Sequence, residues 1–187
     1  MTLPLQTVRL VDIPAQPWRN GGGVTRELLA WPSQSDWWVR VSIATIDRSG
    51  PFSAFPDVQR WFAVLSGAGV RLALADGPHH VRQGDKPVSF NGEDAPSCDL
   101  LEGSSIDLNL MAKRDAGTAR MQRALAGSTV EGVTRWRGVY AAEALALEVD
   151  SVAIALEAGT LLWSDHPAPS TWRLKSTTSA WWLTLNA

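Results

Sequence analysis

The chain of 187 residues is poor in the residues that build metal sites and disulfides. It has one cysteine, Cys98, and three histidines, His79, His80 and His166. One cysteine forbids an intramolecular disulfide, and so few soft ligands leave little material for zinc or iron. His79 and His80 are adjacent, so on a strand they would face opposite sides, and no His-x-His or cysteine pair occurs. Lysine is scarce, at three against 14 arginines, and the net charge is −2. That balance argues against nucleic acid or an anionic membrane as partner, since both need a basic surface. No stretch approaches the ~20 apolar residues that span a bilayer. The longest candidate, Val152 to Trp163, is broken by Glu157 and Gly159. The N-terminal MTLPLQTVRLVDIP lacks a basic region followed by an apolar run, so the expected location is cytoplasmic. No Gly-x-Ser-x-Gly elbow is present, and no cofactor is expected. Cys98 reads as a buried, inert thiol at the start of a strand.

What the chain does have is apolar material, at 45% hydrophobic against 19% charged, enough for a folded core. Period-two patterns dominate. Val39, Val41 and Ile43 alternate with Trp38, Arg40 and Ser42; Ile106, Leu108 and Leu110 alternate with Asp107, Asn109 and Met111. Trp61 to Ser66 and Val70 to Ala75 are apolar on nearly both faces, and Ser66-Gly67-Ala68-Gly69 between them reads as a hairpin connection. Further strands are expected at Leu145–Val149, Val152–Leu156, Thr160–Trp163, Thr171–Lys175 and Ala180–Leu185. Gly- and Pro-bearing turns between these runs predict an all-β sandwich or barrel. Only Asp115 to Leu125 has helical character.

That stretch separates two similar halves. Gly84 to Asn109 and Gly159 to Asn186 each run from a glycine turn through an apolar strand and a loop to a closing strand. The expected organisation is an N-terminal half over 1–113, a linker or short helix over 114–127, and a C-terminal half over 128–187, packed as one compact unit. The ten tryptophans fit the walls of such a core. They also allow a homodimer interface.

Two features can carry chemistry. The string WRNGGGVTREL, Trp18 to Leu28, offers a backbone that approaches a ligand closely, or a tight turn feeding a strand. It lacks the lysine and spacing of a phosphate loop. Arg40 with Ser42, and Asp107 with Asn109, place polar groups on otherwise apolar strands. They form either a solvated sheet face or a polar patch inside a barrel, with Arg40 supplying a planar fork for a carboxylate.

Taken in order, PWRNGGGVTREL (17–28), WVRVSIATI (38–46), SGPFSAFPDVQR (49–60), LSGAGVRL (65–72) and DLNLM (107–111) resemble the HutD/Ves family. The resemblance covers most of the first 115 residues. It implies a cupin-type fold, a bicupin with two β-barrel or jelly-roll-like halves. It also implies a role in histidine utilisation or stress response, commonly thought of as a regulatory small-molecule binder. The metal-binding histidines of many cupins are absent here, so their metal chemistry is not expected. The matching motif residues nominate Asn20, Gly21, Gly22, Thr25 and Arg26 in the first string. Further along they nominate Arg40, Ser42, Arg60, Asp107 and Asn109. Trp18 and Trp38 are expected close by.

The leading expectation is a metal-free protein that binds a small carboxylate through Arg40, Arg60 or Arg26. The alternatives are a metal-independent isomerase or hydrolase, with Asp107, Glu27 or His79 as general base, and a protein-interaction module.

Overall fold

The computed structural model describes residues 4–176 and 179–187. Among the described residues the chain is all-β, with short 3-10 turns besides the strands. In order, the strands begin with β1 (Gln6–Arg9), β2 (Gln16–Pro17), β3 (Gly23–Pro32), β4 (Trp37–Ile46) and β5 (Gly50–Pro51). Next come β6 (Val58–Ser66), β7 (Val70–Leu74), β8 (Gly77–Val81), β9 (Val88–Asn91), β10 (Ser97–Leu100) and β11 (Ser105–Lys113). Then follow β12 (Thr118–Arg123), β13 (Thr129–Gly132), β14 (Trp136–Ala141) and β15 (Leu145–Val149). The last are β16 (Val152–Leu156), β17 (Thr160–Ser164), β18 (Ser170–Leu174) and β19 (Ala180–Asn186). Among the described residues no helix is long and apolar enough to cross a membrane.

The chain divides into two compact units. Residues Ile13–Ala116 form one. Its sheets are β2-β3-β4-β11-β6-β9 and β5-β10-β7-β8, antiparallel throughout. Ile46, Phe62, Val64 and Phe90 from the larger sheet meet Val70, Leu72, Val81 and Cys98 from the smaller one in a shared core. The second unit joins Gly117–Ala187 to the N-terminal segment ending at Asp12. Its sheets are β1-β17-β14-β19-β12 and β13-β18-β15-β16. Its core holds Val139, Leu147, Leu162, Trp172, Leu174 and Trp182. Adding eight to each strand number of β9-β6-β11-β4 gives β17-β14-β19-β12, and the smaller sheets obey the same rule. Gly84 and Gly159, matched in the sequence, precede the corresponding strands β9 and β17.

Three expectations change. The segment 114–127 is neither linker nor helix: after a 3-10 turn at Arg114–Ala116 it forms strand β12. Ala119 and Met121 are buried while Thr118, Arg120 and Gln122 are exposed, and pairing with β19 fixes this period of two over the helical propensity of the residues. The N-terminal residues also do not belong with the first half, because β1 pairs with β17. Finally, β6 and β7 are not a hairpin; they lie in different sheets. The chain changes sheet at Gly67 and Gly69, both left-handed (φ 91° and 96°). A Cβ there would sit 2.4 Å from the Ser104 carbonyl oxygen or 2.3 Å from that of Val81.

Candidate functional site

Residues of one parity on β3, β4, β11 and β6 share the inner face of the larger sheet in the first unit. Across the strands Glu27 lies opposite Ser42, Ser42 opposite Asn109, and Met111 between Arg40 and Arg60. At one end of this face the side chains become polar and enclose a cavity of about 490 Å³. Phe52 and Phe55, from the loop region before β6, close over it.

Seven of the ten nominated residues line this cavity. Arg40, Ser42, Asp107 and Asn109 do so through strand parity, and Arg60 through β6. Asn20 and Thr25 complete the set. Gly21, Gly22 and Arg26 do not. Arg26 sits one residue out of phase with Thr25 and Glu27, so it faces the other side of β3. The glycines form the tight turn: Gly21 is left-handed (φ 67°), and the Gly22 amide donates to the Asn20 Oδ1 at 2.9 Å. Gly23 follows with no room for a side chain, since a Cβ would lie 2.2 Å from the Thr45 carbonyl oxygen. Trp18 lines the cavity, and its indole donates to Thr25 Oγ1 at 2.7 Å. Trp38 does not; its ring packs edge-on to Trp31, 5.4 Å away. Phe52, Phe55 and Met111 also line the cavity and lie outside the motif residues named above. Met111 shares the parity of Asp107 and Asn109, whereas the two phenylalanines sit in a loop where no periodicity marks them.

The two inward arginines differ. Arg40 is paired: its Nε donates to Glu27 Oε2 at 2.7 Å, and Nη2 reaches the same oxygen. Gln34 Nε2 donates to the other Glu27 oxygen at 2.6 Å. The fork expected at Arg40 for a carboxylate is thus filled from within the chain. Arg60 is 4% exposed and donates once, from Nη2 to Asn109 Oδ1 at 3.1 Å. Asn109 in turn donates to Asp107 Oδ1. Among the described residues, Arg60 Nε and Nη1 and Asp107 Oδ2 have no hydrogen-bond partner. Phe52, Phe90 and Phe55 surround the Arg60 guanidinium with ring centroids at 4.9, 5.1 and 5.7 Å, which supplies cation–π attraction but no acceptor.

Burial sets the titration of this cluster. Loss of water pushes the Asp107 carboxyl up to about 8, against the opposing pulls of Arg60 and the Asn109 amide. Burial brings the Arg60 guanidinium down to about 10; Asp107 resists this and Arg40 adds to it. Burial thus favours the uncharged carboxyl at Asp107 and disfavours the charged guanidinium at Arg60. Burial, with help from Asp107, also raises the Cys98 thiol to about 12, in keeping with an inert side chain.

The cavity does not suit the metal that cupin folds often hold. Its carboxyls are Glu27, engaged by Arg40, and the buried Asp107, and no histidine or cysteine lines it. Among the described residues no group of three or more His, Cys, Asp or Glu could hold a metal ion. His79 lies on β8, bound to Asp76 at 2.8 Å and away from the cavity, so it is no base for it.

The HutD family model matches residues 10–183. The chain belongs to the HutD family. Among its relatives, an uncharacterized 21.2 kDa protein from the hutC 3' region of Pseudomonas putida is 38% identical over 122 residues, 63% of each chain. Protein Ves of Citrobacter koseri is 38% identical over 112 residues, 59% of each chain. The HutD-family chain thus spans about three-fifths of the length of the curated relatives it matches. HutD from Pseudomonas fluorescens SBW25 superposes with a TM-score of 0.84 at 26% identity, covering 97% of this chain and 98% of that one. A conserved protein of unknown function from Pseudomonas aeruginosa PAO1 gives 0.87 at 28% identity, covering 98% and 99%. An oxalate decarboxylase from Lactobacillus farciminis gives 0.67 at 10% identity, covering 100% and 87%, a likeness of cupin-like fold alone.

Proposed function

We propose that the cavity of residues 13–116 binds a small molecule bearing a carboxylate, and that Arg60 is its anchor. One observation carries this reading: a buried guanidinium lines a roomy cavity, and its Nε and Nη1 have no hydrogen-bond partner among the described residues. A buried donor without an acceptor costs about 1–3 kcal/mol, more when charged. A carboxylate supplies acceptor oxygens and the opposite charge together. Ser42 and Asn109 offer neutral hydrogen bonds beside it, and Phe52, Phe55 and Met111 an apolar body. The second unit supports the argument by contrast. There Arg137 lies across from Thr184, which lies across from Arg120, just as Arg60, Met111 and Arg40 line up in the first unit. Arg137 is filled by protein oxygens at every nitrogen: Thr134 Oγ1 at 2.9 Å, Ser170 O at 2.9 Å and Gly132 O at 2.5 Å. We read the two units as the halves of a bicupin, with the buried arginine of the first, unlike Arg137, left with donors to spare for a ligand. Family membership and the hutC-region relative support a role connected with histidine utilisation or stress response; that this role is regulatory, and needs no metal or cofactor, is our inference.

The test is thermal unfolding with a panel of small carboxylates, against wild type and Arg60→Met. A ligand at 100 times its Kd stabilises by about 2.7 kcal/mol. At least one acid should raise the wild-type Tm, and Arg60→Met should lose that rise. A panel that moves nothing, or an equal rise in both proteins, refutes the reading.

A further inference from the structure

We propose that Glu27 is a specificity-determining residue: by occupying Arg40 in the cavity wall, it limits the site to ligands carrying one negative charge. This inference rests on the reading of Arg60 as a carboxylate anchor.

The cavity is lined by three arginines and two acids. Arg19 is exposed at the chain segment before β3, where water and salt screen it. Inside, Arg40 and Arg60 flank one aromatic ring, Phe55, at 5.9 and 5.7 Å from its centroid. On position alone they would grip a dianion from two sides. The Glu27 carboxylate prevents this. It engages Arg40 through Nε and Nη2; the Glu27 side chain is 11% exposed and that of Arg40 28%, so the pair is part-buried. Gln34, itself exposed, donates to the other carboxylate oxygen. Among the described residues that line the interior, Arg60 is then the cation not held by a carboxylate, beside Asp107 and Asn109. A second ligand carboxylate would reach the Arg40 side, meet the Glu27 charge, and be buried without a partner. Burying an unpaired charge, or placing like charges together, is strongly unfavourable.

The chemistry predicts a change of ligand class on removing one charge. Glu27→Gln keeps shape and hydrogen-bonding capacity but frees the Arg40 cation. Two probes share a ring and differ in one group: p-toluate, with one carboxylate and a methyl, and terephthalate, with two carboxylates. Their affinities are measured by calorimetry at neutral pH on the full chain. Wild type should prefer p-toluate by at least about tenfold. Glu27→Gln should bind terephthalate at least about tenfold more tightly than wild type, a larger gain than for p-toluate, whose single carboxylate stays on Arg60 and feels the freed Arg40 charge only at a distance. Glu27→Gln/Arg40→Gln again has one unengaged cation and should restore the wild-type preference, which a merely structural role for Glu27 would not predict.

If wild type binds both probes equally, the charge limit is wrong, while p-toluate binding that vanishes in Arg60→Met still supports the anchor. If the double variant gains terephthalate as well as Glu27→Gln does, Arg40 is not the recruited group and the inference falls. If neither probe binds any of the proteins, the underlying carboxylate reading fails instead. Should Glu27→Gln not fold, Arg40→Gln carries the test. Its unopposed Glu27 must weaken p-toluate by about tenfold, and an unchanged affinity overturns the proposal.

Discussion

Replacing a buried acid by its amide should stabilise this protein. Asp107 is 1% exposed, and its carboxyl titrates near 8 in the folded chain against 3.8 as an ordinary aspartate. Between those two pH values the native state binds one more proton than the unfolded state. Stability therefore falls as pH rises through that window, by about 1.4 kcal/mol per pH unit. Below pH 4 the contribution is fully present, and above pH 8 it is gone. Asp107→Asn keeps the acceptor for the Asn109 amide but carries no charge. Relative to wild type it should gain stability as pH rises, by roughly 4 kcal/mol at pH 7 as an upper figure, since partial relaxation around a buried charge reduces it. The assay is urea unfolding at pH 5, 6, 7 and 8, with the difference between the proteins plotted against pH. A rising difference supports the reasoning. Parallel stability curves, or a variant less stable than wild type at pH 7, would mean that Asp107 is ionised and paired in the folded chain.

Two packing predictions follow from geometry alone. Gly23→Ala forces a methyl group to within 2.2 Å of the backbone oxygen of Thr45; it should cost about 2–4 kcal/mol in urea unfolding, because backbone cannot yield cheaply. Trp182→Ala empties a fully buried site and removes the indole hydrogen bond to Ser128 Oγ, so about 3–5 kcal/mol should be lost in the same assay.

Much of the fold is legible in the sequence because its strands obey a period of two. Leu145–Val149 and Val152–Leu156 match their strands end to end. The same periodicity places Arg40, Ser42, Asp107 and Asn109 on one face, and it would have removed Arg26, which only the motif brought in. Where periodicity stops, so does the reading. Phe52 and Phe55 lie in an irregular segment, so their place over Arg60 comes from the chain's return across the sheet. The Arg40–Glu27 pair depends on register, and β3 shifts register between Glu27 and Leu29. Strand β12 shows the reverse case: its Ala, Arg, Met and Gln favour a helix locally, and the edge of β19 decides otherwise.

The two arginine rows separate structural from functional roles. Arg137 and Arg60 occupy corresponding positions, are 2% and 4% exposed, and are both lowered by burial. In Arg137→Met, Thr134 Oγ1 and the carbonyls of Gly132 and Ser170 lose their donor inside the protein. That should cost about 3–5 kcal/mol, as when one partner of a buried charged network is removed. In Arg60→Met, one acceptor, Asn109 Oδ1, loses its donor and three aromatic contacts weaken. Against this, a poorly solvated cation disappears, and the apolar side chain suits the surrounding phenylalanines. The two effects oppose, so stability should change by no more than about 1 kcal/mol in either direction. Urea unfolding of both variants at pH 7 makes the comparison. If Arg60→Met proves as costly as Arg137→Met, Arg60 holds the fold together and has no capacity left over for a ligand. A small change in stability together with lost carboxylate binding assigns that buried charge to an incoming anion.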